Sequence, residues 1–348
     1  MKPFSYLRPF TISEATAAAA KPGAVFHAGG TNLIDLMKLG VMRPDALVDI
    51  SKLPGLDHVE WLPGGGVRIG AMVRNADLAY DARFAKTYPS VAEALLSGAS
   101  GQLRNMASVG GNLLQETRCA YFQELASACN RRTPGTGCDA LDGQNRLHAV
   151  LGWSETCIAT HPSDFAVPLV ALDAVVEIVG PAGPRELPVE SLYVLPDAPS
   201  PLISGELIVA LRLPAEAAAF AGHARYLKLR ERTSFAFALV SAAAALRLEG
   251  GRIAEARLAL GAVAHKPWRA RDAEAALRGV APSREVFARA AEIALADARP
   301  SGDNAFKIEL ARRILARALM AAADGTPSRM PALPGSPFTA APGARDVA

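Results

Sequence analysis

The four cysteines of this 348-residue chain are confined to one segment, between Cys119 and Cys157. The surrounding residues lack a sustained helical or alternating apolar pattern, which predicts a loop-rich segment. The N-terminus has no continuous apolar stretch typical of a secretory signal, so disulfides are disfavoured and ligation of a metal or cluster is favoured. We therefore expect the fold to bring these thiols together around one centre.

The rest of the chain mixes helical and strand patterns and is too long for one ordinary core. The first fifty residues predict a β-α-β-α-β unit that begins its first helix at a capping box at 11–14. The tetrapeptide 249–252 (EGGR) predicts a hairpin turn, and residues 305–320 predict a helix with one apolar face. Strands are also predicted at 24–28, 46–50, 67–70, 168–179 and 202–213, and helices at 33–39, 75–98, 269–278 and 283–299.

Composition argues against several classes of function. The net charge is only +3, and no block of basic residues is interleaved with aromatic ones, so nucleic-acid binding has little support. No apolar run approaches the length of a membrane span, so no membrane partner is expected. No Ser-His-Asp order or pair of carboxylates indicates a hydrolytic site. His148 and His161 are predicted to be hydrogen-bonded structural residues rather than metal ligands.

Two glycine-rich turns are candidates for phosphate binding. The first glycine turn (residues 28–33, AGGTNL) lies between a predicted strand and a predicted helix, where exposed amides can approach a phosphate. The second glycine turn (residues 108–113, SVGGNL) offers the same chemistry. A plain capped turn explains the first equally well, and a bulge or hairpin turn explains the second. Their joint presence favours a diphosphate ligand.

These two turns, the later stretch THPSDFAVPLVALDA and Tyr226-Leu227-Lys228 resemble the FAD-binding subunit of the xanthine dehydrogenase and carbon monoxide dehydrogenase family. The resemblance covers about residues 3–322. It implies an α+β fold with a two-subdomain FAD-binding part of the vanillyl-alcohol-oxidase and p-cresol-methylhydroxylase type and a C-terminal α+β flavoprotein domain. The implied parts are subdomain 1 (1–55), subdomain 2 (56–218), the C-terminal domain (219–325) and a disordered or partner-bound tail (326–348).

The resemblance also implies which residues bind FAD, and it places no catalytic residue on this chain. Asp164 would bind the adenosine side, Ile208 would pack on the flavin, and Lys228 would hydrogen-bond the isoalloxazine edge. Without a ligand, Asp164 would be a helix cap and Lys228 a solvated strand residue. The other implied contacts are Phe26, His27, Ala28, Gly29, Gly30, Thr31, Asn32 and Leu33 around the first turn, and Ser108, Gly111 and Asn112 in the second.

The cysteines lie in an insertion relative to simpler members of this family. About forty residues, 115–158, separate the second glycine turn from the Ser163-Asp164 motif, and this cysteine segment resembles the FAD and iron–sulfur subunit of bacterial periplasmic aldehyde oxidoreductases. The resemblance implies a 4Fe–4S cluster, with one thiolate per iron. A zinc site, which has no CxxC pair to support it, and unliganded thiols are the alternatives. The implied ligands are Cys119, Cys129, Cys138 and Cys157. Nearby arginines could offset the cluster's charge or form a solvated rim: Arg118, Arg131, Arg132 and Arg146.

The implied function is electron transfer in a heterotrimeric molybdenum hydroxylase that oxidises aldehydes to carboxylic acids. A large subunit with the molybdenum cofactor and a small 2Fe–2S subunit would be partners, and FAD here would pass electrons to an external acceptor. A 4-hydroxybenzoyl-CoA-reductase-like complex, a xanthine dehydrogenase complex, a standalone flavin oxidoreductase and a zinc-loop scaffold remain open. We expect cytoplasmic assembly without a signal of its own, with export to the periplasm alongside a signal-bearing partner also open.

Overall fold

The computed structural model describes residues 1–328, which form three separate β-sheets with helices packed against them. This mixture of helix and sheet confirms the α+β class. The sheets lie within the predicted parts 1–55, 56–218 and 219–325, whose boundaries stay predictions. The predicted tail falls almost wholly outside the described residues. Its first residue, Thr326, donates its backbone N–H to the Gly222 carbonyl at 2.8 Å.

The N-terminal sheet is parallel, in the order β1-β3-β2, which confirms the predicted β-α-β-α-β unit. Thr11 accepts a hydrogen bond from the Glu14 N–H at 3.1 Å, as the predicted capping box requires. The Glu14 carboxylate accepts its hydrogen bond from the N–H of Phe10, at 2.9 Å, rather than from that of Thr11. The second strand therefore delivers the first glycine turn to the carboxyl edge of a parallel sheet. The elements are β1 (Ser5–Leu7), α1 (Ile12–Ala19), β2 (Ala24–His27), α2 (Leu33–Lys38) and β3 (Ala46–Asp49).

The second sheet is antiparallel, with five strands in the order β4-β5-β8-β6-β7. Its helices bury large side chains such as Phe84, Tyr88 and Phe165 against the sheet. The strands are β4 (Val59–Trp61), β5 (Val67–Gly70), β6 (Val175–Gly180), β7 (Gly183–Pro188) and β8 (Leu207–Leu213). The helices are α3 (Asn75–Tyr80), α4 (Ala82–Thr87), α5 (Pro89–Ser97), α6 (Gly101–Arg104), α7 (Val109–Leu113), α8 (Ala120–Gln123) and α9 (Ala166–Ala171).

The strand predicted at 168–179 is wrong in its first half. The side chain of Ser163 accepts a hydrogen bond from the Ala166 N–H at 3.1 Å and starts α9, in whose first turn Pro168 is tolerated. All six residues of α9 are buried. A short helix buried on every side carries no amphipathic period, so its sequence cannot be distinguished from that of a buried strand.

The C-terminal sheet is antiparallel, in the order β12-β11-β10-β9, and three helices cover one of its faces. Gly250 and Gly251 have φ values of +56° and +74°, which confirms the predicted hairpin turn between β10 and β11. The predicted apolar stripe on the last helix is also confirmed, because Ala311, Leu315 and Ala318 are fully buried. The elements are β9 (Ala224–Leu229), β10 (Val240–Glu249), β11 (Arg252–Gly261), β12 (Trp268–Arg269), α10 (Arg271–Leu277), α11 (Arg284–Ala294) and α12 (Phe306–Ala323).

The C-terminal domain holds the end of the cysteine segment through buried polar contacts. The ammonium group of Lys307, on α12, has no exposed surface and donates to the carbonyls of Leu147, His148 and Ala262 at 2.8–2.9 Å. The amide of Asn304 donates to the carbonyls of His148 and Ala149 at 3.1 Å. Because a buried carbonyl left without a donor is costly, these bonds fix the backbone of residues 147–149.

Buried His265 should make the stability of the protein depend on pH. Burial lowers the pKa of His265 to about 4, so between pH 6.5 and 4 the unfolded chain binds a proton that the folded chain does not. The free energy of unfolding should therefore fall by about 3 kcal/mol as the pH drops through this window. Urea unfolding at several pH values measures this slope. His265→Phe should make the slope shallower, and the slope that remains should include the contribution of His161, whose pKa burial lowers to about 3. Exposed His58→Phe should leave the slope unchanged, and an equal slope in all three proteins would contradict this prediction.

Candidate cofactor site

Two neighbouring cavities contain the candidate site. The larger has a volume of about 750 Å³ and the smaller about 150 Å³. Thr31, Asn32 and Gly111 line both cavities, so the two glycine turns lie where the cavities adjoin. The larger volume is that of a ligand pocket rather than of a packing defect.

The two glycine turns lie against main chain so closely that side chains are excluded. A Cβ on Gly29 would lie 2.1 Å from the Met106 carbonyl oxygen, and one on Gly110 would lie 2.8 Å from the Cβ of Ala71. Gly30 has a φ of +72°, a conformation that residues with a side chain rarely adopt. These glycines are therefore required by close backbone approach, and this is the geometry that brings amides near a diphosphate.

The second glycine turn differs in form from the predicted bulge or hairpin turn. Its residues form the single helical turn α7, in which Ser108 accepts a hydrogen bond from the Gly111 N–H at 3.2 Å. The Asn112 side-chain oxygen accepts hydrogen bonds from Ser163 and Gln115, both at 2.7 Å. Ser108 and Asn112 thus shape the turn through internal bonds, and Gly111 presents its backbone to both cavities.

Asp164 and Lys228 form a buried ion pair at 2.8 Å on the wall of the larger cavity. Asp164 also accepts a hydrogen bond from the Tyr226 hydroxyl at 2.6 Å, and burial raises the pKa of Tyr226 well above its usual range, which keeps this donor protonated. Asp164 is therefore not the helix cap, and Lys228, whose side chain is 3% exposed, is not a solvated strand residue.

This contact corrects the roles that we assigned to opposite ends of FAD. Asp164 and Lys228 touch each other, so an extended dinucleotide cannot place its adenosine on one and its isoalloxazine edge on the other. Ile208 lines the smaller cavity, and its contact with the flavin stays a prediction. The sequence could not show that Asp164 and Lys228 lie together, because they are distant along the chain.

The remaining predicted contacts divide between the two cavities. His27 lines neither: its ring packs edge-on against Tyr6 at a centroid distance of 6.3 Å, with Nδ1 4.0 Å from the Asp49 carboxylate. Its predicted cofactor contact therefore has no support from the cavity geometry. The smaller cavity is lined by Phe26, Ala28, Gly29, Gly30, Leu33, Ser108 and Ile208, and the larger by Asn112, Asp164 and Lys228.

Unpaired polar atoms on the wall of the larger cavity indicate a polar ligand. Within residues 1–328, five side-chain atoms of this wall are buried without a hydrogen-bond partner: Asn32 Nδ2, Asn75 Oδ1, Arg104 Nε, Arg118 Nε and His148 Nδ1. Buried polar atoms are rarely left unpaired, so this set suits a ligand that brings both acceptors and donors. FAD, with its phosphates, hydroxyls and adenine amine, has that chemistry.

Asn75 and Arg104 were not among the predicted site residues. Asn75 is the first residue of α3, whose cap position is occupied by Arg74, and no side chain caps that helix. No motif surrounds either residue. Only the fold, which carries α3 and α6 to the same cavity, reveals them.

The cysteine segment is an ordered loop that packs on the larger cavity. Cys129 and Cys138 pair as opposite residues of an antiparallel bridge, and all four cysteines are free thiols. Asn130 accepts hydrogen bonds from the N–H groups of Gly135 and Gly137 at 3.1 and 2.9 Å, and closes the turn between the paired cysteines. Cys119 itself lines the cavity wall.

The four thiols share one electrostatic neighbourhood. Burial, with a smaller contribution from the thiols of Cys138 and Cys119, raises the pKa of Cys157 to about 11. Burial likewise raises the pKa of Cys119, with Cys129 and Cys138 contributing in the same direction. Two histidines were predicted to be hydrogen-bonded structural residues. His148 Nε2 lies 3.2 Å from the sulfur of Cys119, a candidate ligand, whereas the buried Nε2 of His161 has no hydrogen-bond partner among the described residues.

The arginines of the segment have different contacts, and the charge of Arg131 opposes the rise in the pKa of Cys157, as a counter-charge would. Arg132 donates to the carbonyls of Tyr121 and Phe122 at 2.9 and 2.8 Å and braces the loop. Arg131 binds the Glu116 carboxylate through two nitrogens at 2.7 and 3.0 Å. Arg146 pairs with Glu231, and Arg118 lines the larger cavity.

In the described part of the chain, no three His, Cys, Asp or Glu side chains are placed to hold one metal ion, and the four cysteines stand as free thiols.

Two protein-family models together match nearly all of the described residues. Residues 2–216 match the FAD binding domain in molybdopterin dehydrogenase, and residues 225–322 match the CO dehydrogenase flavoprotein C-terminal domain. The chain belongs to the FAD-binding medium-subunit family of molybdenum hydroxylases. It is thus an oxidoreductase subunit, and FAD is the ligand for which the glycine turns and the unpaired polar atoms are suited.

Curated relatives and solved structures of this family resemble the chain over almost its whole length. It is 49% identical over 325 residues to the aldehyde oxidoreductase FAD-binding subunit PaoB of Escherichia coli, which covers 92% of this chain and 98% of that protein. It is 28% identical to the carbon monoxide dehydrogenase medium chain of Hydrogenophaga pseudoflava, covering 92% and 96%. The CO dehydrogenase structure from Oligotropha carboxidovorans superimposes with a TM-score of 0.74 at 25% identity, covering 93% and 99%.

Gly29→Ala should separate the two glycine turns. The new methyl group collides with the Met106 carbonyl, so we expect a loss of about 1–3 kcal/mol in unfolding free energy and a large loss of bound flavin. The flavin released by denaturing the purified protein measures occupancy. Gly64→Ala is the matched control, because a Cβ there meets no atom within 4 Å. Equal flavin content in both variants would show that the close approach is not needed.

Asp164→Asn should leave the buried Lys228 ammonium without its counter-ion. Breaking one partner of a buried pair costs about 3–5 kcal/mol, so the unfolding free energy should fall by that order. The double variant Asp164→Asn, Lys228→Met should recover much of the loss, because no uncompensated charge remains. Chemical denaturation of the two single variants and the double variant measures the coupling, and additive losses would refute it.

Proposed function

We propose that this chain is the FAD- and 4Fe–4S-binding electron-transfer subunit of a heterotrimeric aldehyde-oxidising molybdenum hydroxylase. The observation that carries the proposal is the joint presence of the glycine-turn cavity and a four-thiol segment that forms part of its wall. Similar relatives are named as the FAD-binding subunit of an aldehyde oxidoreductase and the medium chain of a carbon monoxide dehydrogenase. The first of these, PaoB, matches 92% of this chain. Aldehydes are favoured as substrates of the complex on that likeness.

In this proposal, backbone amides and side chains of the cavity bind different parts of FAD. The amides of the two glycine turns would hold the FAD diphosphate between the cavities, and the Asp164–Lys228 pair would face one end of the cofactor. When bound, FAD would take electrons delivered by iron–sulfur centres and pass them to an external acceptor. The chain's own part is to position the cofactor and to set its electrostatic surroundings.

The cysteine segment has the donors that a 4Fe–4S cluster needs. Four free thiols lie in one neighbourhood, no fifth cysteine exists, and no CxxC pair suggests zinc. Burial raises the pKa of Cys157, so such a thiol stays protonated without a metal and becomes a thiolate on ligation. Cys119, Cys129, Cys138 and Cys157 are the proposed ligands, one for each iron.

The remaining subunits and the compartment follow from the same proposal. Substrate oxidation would occur on a partner with the molybdenum cofactor, and a 2Fe–2S partner would lie between it and this chain. Within residues 1–328, no helix is long and apolar enough to cross a membrane. We propose assembly in the cytoplasm, where the cofactors are loaded, with any export depending on a partner's signal.

Metal analysis of the purified chain or complex tests the cluster. We expect about four irons per copy of this chain beyond those of the 2Fe–2S partner, and a broad brown absorbance that dithionite bleaches. Cys129→Ala should lose this iron while the partner's iron remains. One zinc per chain and no such iron would establish the zinc-loop alternative and refute the proposal.

The same variant shows whether the segment relays electrons. Rapid-mixing measurements would follow flavin reduction by aldehyde and its reoxidation by the acceptor. Unchanged flavin kinetics in Cys129→Ala, at normal flavin content, would exclude a relay and leave a bracing role for the segment. Slowed reduction at normal flavin content would support a relay.

A further inference from the structure

The first residues of the cysteine segment cross both glycine turns. Gln115 donates from its side chain to the Asn112 side-chain oxygen at 2.7 Å, on the second turn. The backbone N–H of Glu116 donates to the Asn32 side-chain oxygen at 3.0 Å, on the first turn. The next two residues, Thr117 and Arg118, line the larger cavity. The segment therefore reaches the cofactor site before it reaches its first cysteine.

Arg118 lies next to these contacts, and its guanidinium has hydrogen-bond donors without a partner. Its side chain is 26% exposed, and its buried Nε has no hydrogen-bond partner among the described residues. The nearest carboxylate, that of Asp35 on α2, lies 4.0 Å from the guanidinium, beyond hydrogen-bond distance. The ring of Phe237 lies 5.1 Å from the guanidinium carbon and stabilises it by a cation–π contact.

Other cations on this wall already have close partners. Lys228 is paired with Asp164 at 2.8 Å, and Arg146 is paired with Glu231. Arg104 donates to the Gly98 carbonyl at 2.7 Å. Arg118 thus combines a position on this wall with a guanidinium that has no close internal acceptor. A planar fork of donors with a positive charge matches a phosphate group.

We propose that Arg118 binds the diphosphate of FAD, so that the cysteine segment supplies part of the flavin site. The proposal rests on FAD being the ligand of the larger cavity, and it does not depend on which metal centre the cysteines bind. It explains why an arginine directly precedes the first cysteine: ordering the segment around its thiols places a phosphate-binding side chain at the cavity. Flavin binding and the metal centre would then be coupled through one peptide.

Flavin titration of the deflavinated complex tests this role. Arg118→Met keeps much of the aliphatic bulk and removes the charge, and a charge-assisted hydrogen bond to phosphate is worth enough to weaken FAD binding by about ten- to hundredfold. Arg118→Lys should recover part of the affinity, because it restores the charge without the fork. ADP, used as a competitor, should lose affinity in Arg118→Met by a similar factor, whereas adenosine should be unaffected.

Arg83→Met is the control, because this guanidinium stacks on Trp61 at 3.9 Å and lines neither cavity. It should bind FAD like the parent protein. Iron content and the unfolding midpoint of each variant show whether the segment has stayed folded. Equal FAD affinity in Arg118→Met and the parent would overturn the proposal, and so would an equal loss of affinity for FAD, ADP and adenosine, which would indicate lost packing. A parent complex that does not bind FAD would instead refute the proposed function.

Discussion

Close backbone contact between the two glycine turns and neighbouring main chain is the constraint on which the cofactor site depends. The first turn follows a strand of the N-terminal sheet and the second forms α7, and they meet where the two cavities adjoin because Gly29 and Gly110 leave no side chain between the packed segments. Any Cβ at Gly29 would push the Met106 carbonyl away and separate the N-terminal sheet from the helices of the second unit. Fold and cofactor binding therefore depend on the same few atoms. This explains why motifs that are weak singly become informative as a pair.

The cysteine segment is held from three directions, which makes it an integral part of the protein rather than an appendage. Its first residues are bonded to both glycine turns through Asn32 and Asn112. Residues 147–149 are fixed by Lys307 and Asn304 of the C-terminal domain. Between these anchors, Arg132 donates to the backbone carbonyls of Tyr121 and Phe122. A segment so anchored can convey the state of its thiols to the cavity wall and to the C-terminal domain.

Features that depend on neighbouring residues in the sequence were predicted correctly. Features that depend on contacts between distant parts of the chain were not. The capping box at Thr11, the hairpin at Gly250 and the buried stripe of the last helix depend on neighbouring residues, and the structure has all three. The helix at Ala166–Ala171 was mistaken for a strand because a wholly buried helix loses its period. Arg118 and Asn75 could not be recognised as cavity residues, because only the packing of distant elements places them there.

An experimental density map of the complex with its cofactors would test the central claim most directly. The account predicts the FAD diphosphate within hydrogen-bonding distance of backbone amides in both glycine turns, with an iron–sulfur cluster coordinated by the four cysteines beside the same cavity. A map in which the turns are blocked by protein and FAD occupies another site, or in which the four sulfurs face apart without a metal centre, would contradict it.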